Sequence, residues 1–188
     1  SGGAFNKKVS ESYCADGFIP NNTKDANGYY GVKEGKYVAE IGSKKYETLA
    51  EAIRLAAKGK TVKLLCNVTE NVAIDKIKSL TLDLNGFTLN GGTGTAKAAL
   101  HNLGTITIQD TSADKTGTIK RDDTGITGET SYYVILNQGT MIIESGNVIN
   151  NSGIKGSSLI CNDAGTLTIN GGTFKQKNFI AIKNDALG

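Results

Sequence analysis

Leu136-Asn137-Gln138-Gly139-Thr140-Met141-Ile142-Ile143 is the stretch that decides how this chain folds. His101-Asn102-Leu103-Gly104-Thr105-Ile106-Thr107-Ile108 says nearly the same thing earlier. Cys161-Asn162-Asp163-Ala164-Gly165-Thr166-Leu167-Thr168-Ile169 says it again later. A fourth copy opens at Ile182-Lys183-Asn184-Asp185-Ala186. A recurring Asn, then Gly-Thr, then alternating apolar residues is the mark of a stacked repeat.

The spacing of the Asn residues selects the kind of stack. Asn102, Asn137, Asn162 and Asn184 lie 35, 25 and 22 residues apart. One coil of a parallel β-helix takes roughly 20–29 residues, and longer gaps fit coils with loops pushed outward. The first gap holds two such loops, 110–116 and 121–132. Stacked coils place equivalent residues about 4.8 Å apart, so inward Asn side chains can hydrogen-bond along the stack. Asn102, Asn137, Asn162 and Asn184 are therefore expected to form a structural ladder. The sequence predicts an all-β parallel β-helix.

Composition agrees with short strands and tight turns. The chain of 188 residues holds 24 Gly and a single Pro, Pro20. Apolar residues alternate at Val62/Leu64, Val72/Ile74, Leu80/Leu82/Leu84, Phe87/Leu89, Ile106/Ile108, Met141/Ile143 and Leu167/Ile169. Turns are marked by Asn85-Gly86, Asn90-Gly91-Gly92, Ser145-Gly146 and Asn170-Gly171-Gly172.

One helix interrupts this pattern. Thr48-Leu49-Ala50-Glu51 is a capping box, in which the Thr hydroxyl takes a free backbone N–H and Glu51 reaches back. Leu49, Ala52, Ile53 and Ala56 share one face, and Gly59 supplies a left-handed stop. The first coil of a solenoid exposes strand edges that template aggregation, so this helix is expected to cap it. The organisation predicted is a loop-rich segment with short strands over 1–46, a capping helix over 47–59 and the β-helix over 60–188, broken off within a coil. Ser1-Gly2-Gly3-Ala4-Phe5 resembles Asn170-Gly171-Gly172-Thr173-Phe174, the close of a coil. Together these features suggest a slice of a longer tandem array, with neighbouring copies stacked end to end.

The net charge of +3 is dispersed, and no basic stripe is interleaved with aromatic residues, which argues against a nucleic-acid partner. No apolar run reaches the length of a membrane span, and no signal peptide is visible. Cys14, Cys66 and Cys161 are widely spaced with no C-x-x-C, so neither a metal site nor a disulfide framework is expected. Cys66 and Cys161, in apolar runs, read as small buried fillers.

Val38-Ala39-Glu40-Ile41-Gly42, Tyr46-Glu47-Thr48-Leu49-Ala50-Glu51-Ala52-Ile53 and Val62-Lys63-Leu64-Leu65 form one phrase. It resembles the opening of β-helix segments in large secreted surface proteins of Gram-positive, often gut-dwelling, bacteria. Leu80-Thr81-Leu82-Asp83-Leu84-Asn85-Gly86 and Gly171-Gly172-Thr173-Phe174 belong to the same pattern, as do Gly2-Gly3-Ala4-Phe5 and Tyr13-Cys14-Ala15-Asp16-Gly17-Phe18. The resemblance implies a pectate-lyase-like, right-handed parallel β-helix in an adhesin-like wall or fibre protein at the cell surface. The function expected is a structural or adhesive role, without enzymatic activity and without a cofactor.

Two other functions have candidate residues. A carbohydrate-binding module would use the 110–133 loops, with Tyr132 and Tyr133 stacking on sugar rings and Arg121, Asp122 and Asp123 nearby to bind host or microbial glycans. A polysaccharide lyase or hydrolase would need paired carboxylates. Arg121-Asp122-Asp123 with Asp110 and Asp114 is the cluster to consider, and its expected role is solvated loop charge. His101 reads as a rung residue beside the Asn ladder, and Asp83 as a turn cap.

Overall fold

The computed structural model describes residues 3–91, 97–122, 133–153, 157–177 and 179–185. The chain divides into two compact units, 1–37 and 38–188. The smaller unit is built on an antiparallel pair, β1 (Phe18–Pro20) and β2 (Val32–Glu34). A second antiparallel bridge in it joins Phe5 to Tyr30.

The larger unit opens with the hairpin β3 (Ala39–Ile41) and β4 (Lys44–Tyr46), turned at Gly42. Helix α1 (Leu49–Leu55) and strand β5 (Lys60–Leu64) follow. Then the chain coils. β6 (Val68–Thr69), β7 (Val72–Ile74) and β8 (Ser79–Asp83) make one turn. β9 (Thr88–Asn90), β10 (Leu100–Asn102) and β11 (Thr105–Gln109) make the next. β12 (Thr118–Arg121), β13 (Ile135–Asn137) and β14 (Thr140–Ile143) lie on it, followed by β15 (Asn147–Asn150), β16 (Ile160–Asp163) and β17 (Thr166–Ile169). β18 (Thr173–Gln176) and β19 (Ile182–Asp185) close the described chain.

Each strand pairs in parallel with its counterpart one turn away, so three sheets run the length of a right-handed β-helix. Sheet I has the order β17-β14-β11-β8-β5-β3-β4, in which β3 runs antiparallel to both of its neighbours, β5 and β4, and the other pairings are parallel. Sheet II is β18-β15-β12-β9-β6, and sheet III is β19-β16-β13-β10-β7.

The alternation read from sequence becomes columns of like residues. In sheet I, Leu80, Ile106, Met141 and Leu167 stack in register, as do Leu82, Ile108, Ile143 and Ile169. In sheet II the inward column is Val68, Leu89, Ile119, Val148 and Phe174. Apart from the exposed Ile169, these columns, with Leu100, Ile135 and Ile160 of sheet III, form one continuous core. Burying each such side chain contributes about 1.5–3 kcal/mol, and a parallel ladder keeps the pattern from slipping, since a one-residue shift would turn every column outward.

Helix α1 packs against β3, β4, β5 and β7 and covers the first coil with Leu49, Ala52 and Ile53. Thr48 Oγ1 accepts from the Glu51 N–H at 3.2 Å, as expected of a cap. Glu70 adds a second cap from outside the helix: its carboxylate accepts from the N–H groups of Leu49 (2.9 Å) and Ala50 (3.0 Å). The helix is also shorter than its periodicity suggests. It leaves helical geometry at Ala56, and Lys78 Nζ donates to the carbonyls of Arg54 and Ala56 there. The stop at Gly59 (φ +72°) turns the chain into β5 rather than ending the helix.

Candidate functional site

The recurring Asn residues stand at or one residue before the ends of the strands of sheet III, with Asn102, Asn137 and Asn162 buried. Asn102 Nδ2 donates to Asn137 Oδ1, Asn137 Nδ2 to Asn162 Oδ1, and Asn162 Nδ2 to Asn184 Oδ1, each at 2.7 Å. The same amides also tie down the turn that follows: Asn137 Nδ2 donates to the carbonyls of Gly139 (3.2 Å) and Thr166 (3.1 Å). One turn earlier, Ile74 occupies this column, so the ladder begins at Asn102. The Gly of each Gly-Thr pair is needed for space. A Cβ at Gly104 would strike the Asp75 carbonyl, and one at Gly139 the Gly104 carbonyl.

A second polar row runs along the outside of the same sheet. Gln138 Nε2 donates to Asp163 Oδ2 at 2.7 Å, so its oxygen faces His101 Nε2, also at 2.7 Å. His101 Nε2 therefore carries the proton in this row. This places His101 beside the ladder, as its position suggests. A shallow cavity of about 470 Å³ adjoins it, lined by Asn71, Ala73, Lys97, Ala98 and Leu136.

Within the acidic-basic cluster, Arg121 and Asp110 are not the solvated loop charges that the sequence suggests. Arg121 is fully buried as the last residue of β12. Its Nη1 donates to the carbonyls of Lys97 (2.9 Å) and Tyr133 (3.5 Å), so it pins two outgoing segments to the coil. An inward-facing position at a strand end gave it this role, and the neighbouring Asp-Asp disguised it. Asp122 is half-buried. Its carboxylate takes Lys120 Nζ at 2.6 Å and Asn151 Nδ2 at 2.9 Å. Burial pushes its pKa up, but the hydrogen bonds from Lys120 and Asn151 outweigh that and hold it below the ordinary Asp value. Tyr133 is half-buried, and it is its backbone carbonyl that meets Arg121. Tyr132 and Asp123 lie outside the described residues.

Asp110 is almost fully buried at the corner between sheets I and II, and Asp114 is exposed. Asp110 Oδ1 accepts from the N–H groups of Gly86 (2.8 Å) and Ser112 (3.0 Å), and Oδ2 from Gly117 (2.6 Å). Burial pushes the carboxyl up, but these hydrogen bonds together hold it below the ordinary Asp value. Asp83 does similar work beside it. Its Oδ1 accepts from the N–H groups of Asn85 and Thr111, and its Oδ2 from the Thr111 hydroxyl at 2.6 Å. Both carboxylates are committed to backbone turns.

All three cysteines are free. Cys161 is buried and Cys66 half-buried against the core. Burial raises the Cys161 thiol above its ordinary pKa, which makes it a poor nucleophile. Among the described residues, no group of three or more His, Cys, Asp and Glu side chains is placed to hold a metal ion, and no helix is long and apolar enough to cross a membrane.

The surface that stands out is the last coil. β17, β18 and β19 each lie at the end of their sheet. Ile182 is 44% exposed, whereas its register partner Ile160 is fully buried, and Ile169 is 37% exposed against 0% for Ile143. Phe179 and Ile180 are exposed in the same coil. Compared with protein-family models, curated proteins and solved structures, the chain matches none.

Proposed function

We propose that this chain is a non-enzymatic structural and adhesive module of a tandem-repeat protein at a bacterial cell surface or in a fibre, stacked end to end with neighbouring copies. The observation that carries this reading is the in-register repeat: three parallel sheets and the Asn102, Asn137, Asn162 and Asn184 ladder, in which each coil presents to its neighbour the same columns that it receives. Such a stack is extended by any coil that continues the pattern. The commitment of Asp83 and Asp110 to backbone N–H groups supports a structural role, because acid–base chemistry needs a carboxylate free to exchange a proton. The resemblance to secreted surface proteins supports the location.

Sedimentation velocity over a range of concentrations tests the reading. The chain is expected to associate progressively into linear species. Ile182→Glu, which puts a charge on the exposed end and leaves the other coils intact, is expected to weaken association at least tenfold. A chain that stays monomeric at every concentration overturns the proposal.

A further inference from the structure

Four steps in this chain join an Asn to a Gly: Asn27-Gly28, Asn85-Gly86, Asn90-Gly91 and Asn170-Gly171. An Asn-Gly step reacts with itself when the Gly backbone nitrogen, unshielded because Gly has no side chain, reaches the carboxamide carbon of the Asn and closes a succinimide ring. The closure needs a free carboxamide, a backbone N–H that is released without large cost, and room for the ring. Asn85 donates its Nδ2 to the Leu64 carbonyl at 2.9 Å, and Gly86 N–H donates to the Asp110 carboxylate at 2.8 Å. The negative charge there opposes loss of the proton from that nitrogen. Gly91 is buried, and its N–H donates to the Lys120 carbonyl at 2.9 Å within sheet II. Asn170 is the nearest rival, since Gly171 N–H reaches the Ile143 carbonyl only at 3.4 Å. Its Nδ2, however, donates to both carboxylate oxygens of Glu144, at 3.0 and 3.1 Å.

Asn27-Gly28 differs on each count. It lies in the exposed connection between β1 and β2. None of the described residues hydrogen-bonds the Asn27 carboxamide. A Cβ at Gly28 (φ +84°) would meet nothing within 4 Å, whereas one at Gly86, Gly91 or Gly171 would come within 3.1, 2.9 or 2.6 Å of Ser112, Ala99 or the Glu144 carbonyl. Gly28 N–H is held only by the Asp25 carbonyl, at 3.0 Å inside the same turn. Releasing it breaks local contacts and no strand pairing, and such openings are the least costly in a folded chain.

We infer that Asn27 is the site at which this protein deamidates as it ages. Hydroxide takes the proton from Gly28 N, and the nitrogen bonds to Cγ of Asn27. The Cγ–Nδ2 bond breaks, and the leaving nitrogen takes a proton from water and departs as ammonia, which restores the hydroxide. Water then opens the ring at either carbonyl. One opening leaves Asp at 27, and the other leaves isoaspartate, with the backbone routed through Cγ. The only reactant besides the chain is water. Either product places a second carboxylate beside Asp25, whose Oδ1 accepts from the N–H groups of Asn27 and Tyr29, each at 2.9 Å. Isoaspartate also lengthens the turn by a methylene. Both changes fall beside Tyr30, which exchanges N–H···O bonds with Phe5 at 2.8 Å, and they loosen the pairing of the smaller unit.

The full chain is incubated in mildly alkaline buffer, folded and in parallel unfolded in guanidinium, then digested and mapped by mass spectrometry. In the folded chain the peptide holding residue 27 is expected to exchange amide for acid about tenfold or more faster than those holding residues 85, 90 and 170. Isoaspartate is expected among its products, told from Asp by backbone fragmentation. In guanidinium the four steps are expected to react at comparable rates, which shows that the fold makes the choice. Asn27→Gln, whose longer side chain closes a ring far more slowly, is expected to stay intact at that position. Hydrogen exchange of the aged protein is expected to quicken at Phe5, Tyr29 and Tyr30 and to stay unchanged in β5–β16. A folded chain in which residue 27 reacts no faster than the other three overturns the assignment. Exchange that is unaltered in the smaller unit of the aged protein overturns the loosening.

Discussion

At the scale of single residues, buried polar side chains carry more of the architecture than their number suggests. Asn137 donates to Asn162, Gly139 and Thr166 and accepts from Asn102. Asn137→Ala removes all of these at once and leaves the amides above and below with a lost partner in a buried site. Such a change is expected to cost about 2–4 kcal/mol, read as a lower midpoint of urea unfolding. Asp110 makes a different prediction. Its carboxyl titrates below the ordinary Asp value of 3.8 when folded, so folding favours the charged form. That stability is fully present above the unfolded pKa and is lost as pH falls through the folded one. Asp110→Asn is therefore expected to be less stable than the parent near neutrality, and the gap is expected to close as pH drops below about 4. A gap that stays constant down to low pH would refute the assignment.

At the scale of elements, the capping helix shows how an element is stabilised from outside itself. α1 is only two turns long, and helices this short are marginal on their own. Its free N–H groups at Leu49 and Ala50 are held by Glu70, which arrives from the turn between β6 and β7. Its C-terminal carbonyls at Arg54 and Ala56 are held by Lys78. Glu70→Ala is expected to cost about 1–2 kcal/mol, with faster amide exchange at Leu49 and Ala50 and little change in β10–β16. The helix itself was legible: Thr48 and the spacing of Leu49, Ala52 and Ile53 mark its start and its buried face. Glu70 was not, because the contact spans about 20 residues of sequence and depends on how the first coil closes.

At the scale of the whole molecule, a solenoid is a one-dimensional stack in which each coil is stabilised by its neighbours. Coils with a neighbour on both sides bury their columns fully, whereas the last coil exposes Ile169, Phe179, Ile180 and Ile182. Amides of β17, β18 and β19 are accordingly expected to exchange first in dilute solution and to gain protection as concentration rises in the association experiment. Protection that is independent of concentration would speak against stacking.

The sequence by itself determined the repeat. Asn, Gly-Thr and alternating apolar residues recur in phase, and that pattern admits a parallel stack because only identical coils in register bring each Asn to the next. The strand columns, the ladder of Asn102, Asn137, Asn162 and Asn184 and the helix start all follow from local spacing. Tertiary structure alone decided the fate of the charged residues. Arg121 and Asp110 read as solvated loop charges because composition and local pattern say nothing of which way a corner turns. In the fold each faces inward and serves backbone groups from distant segments.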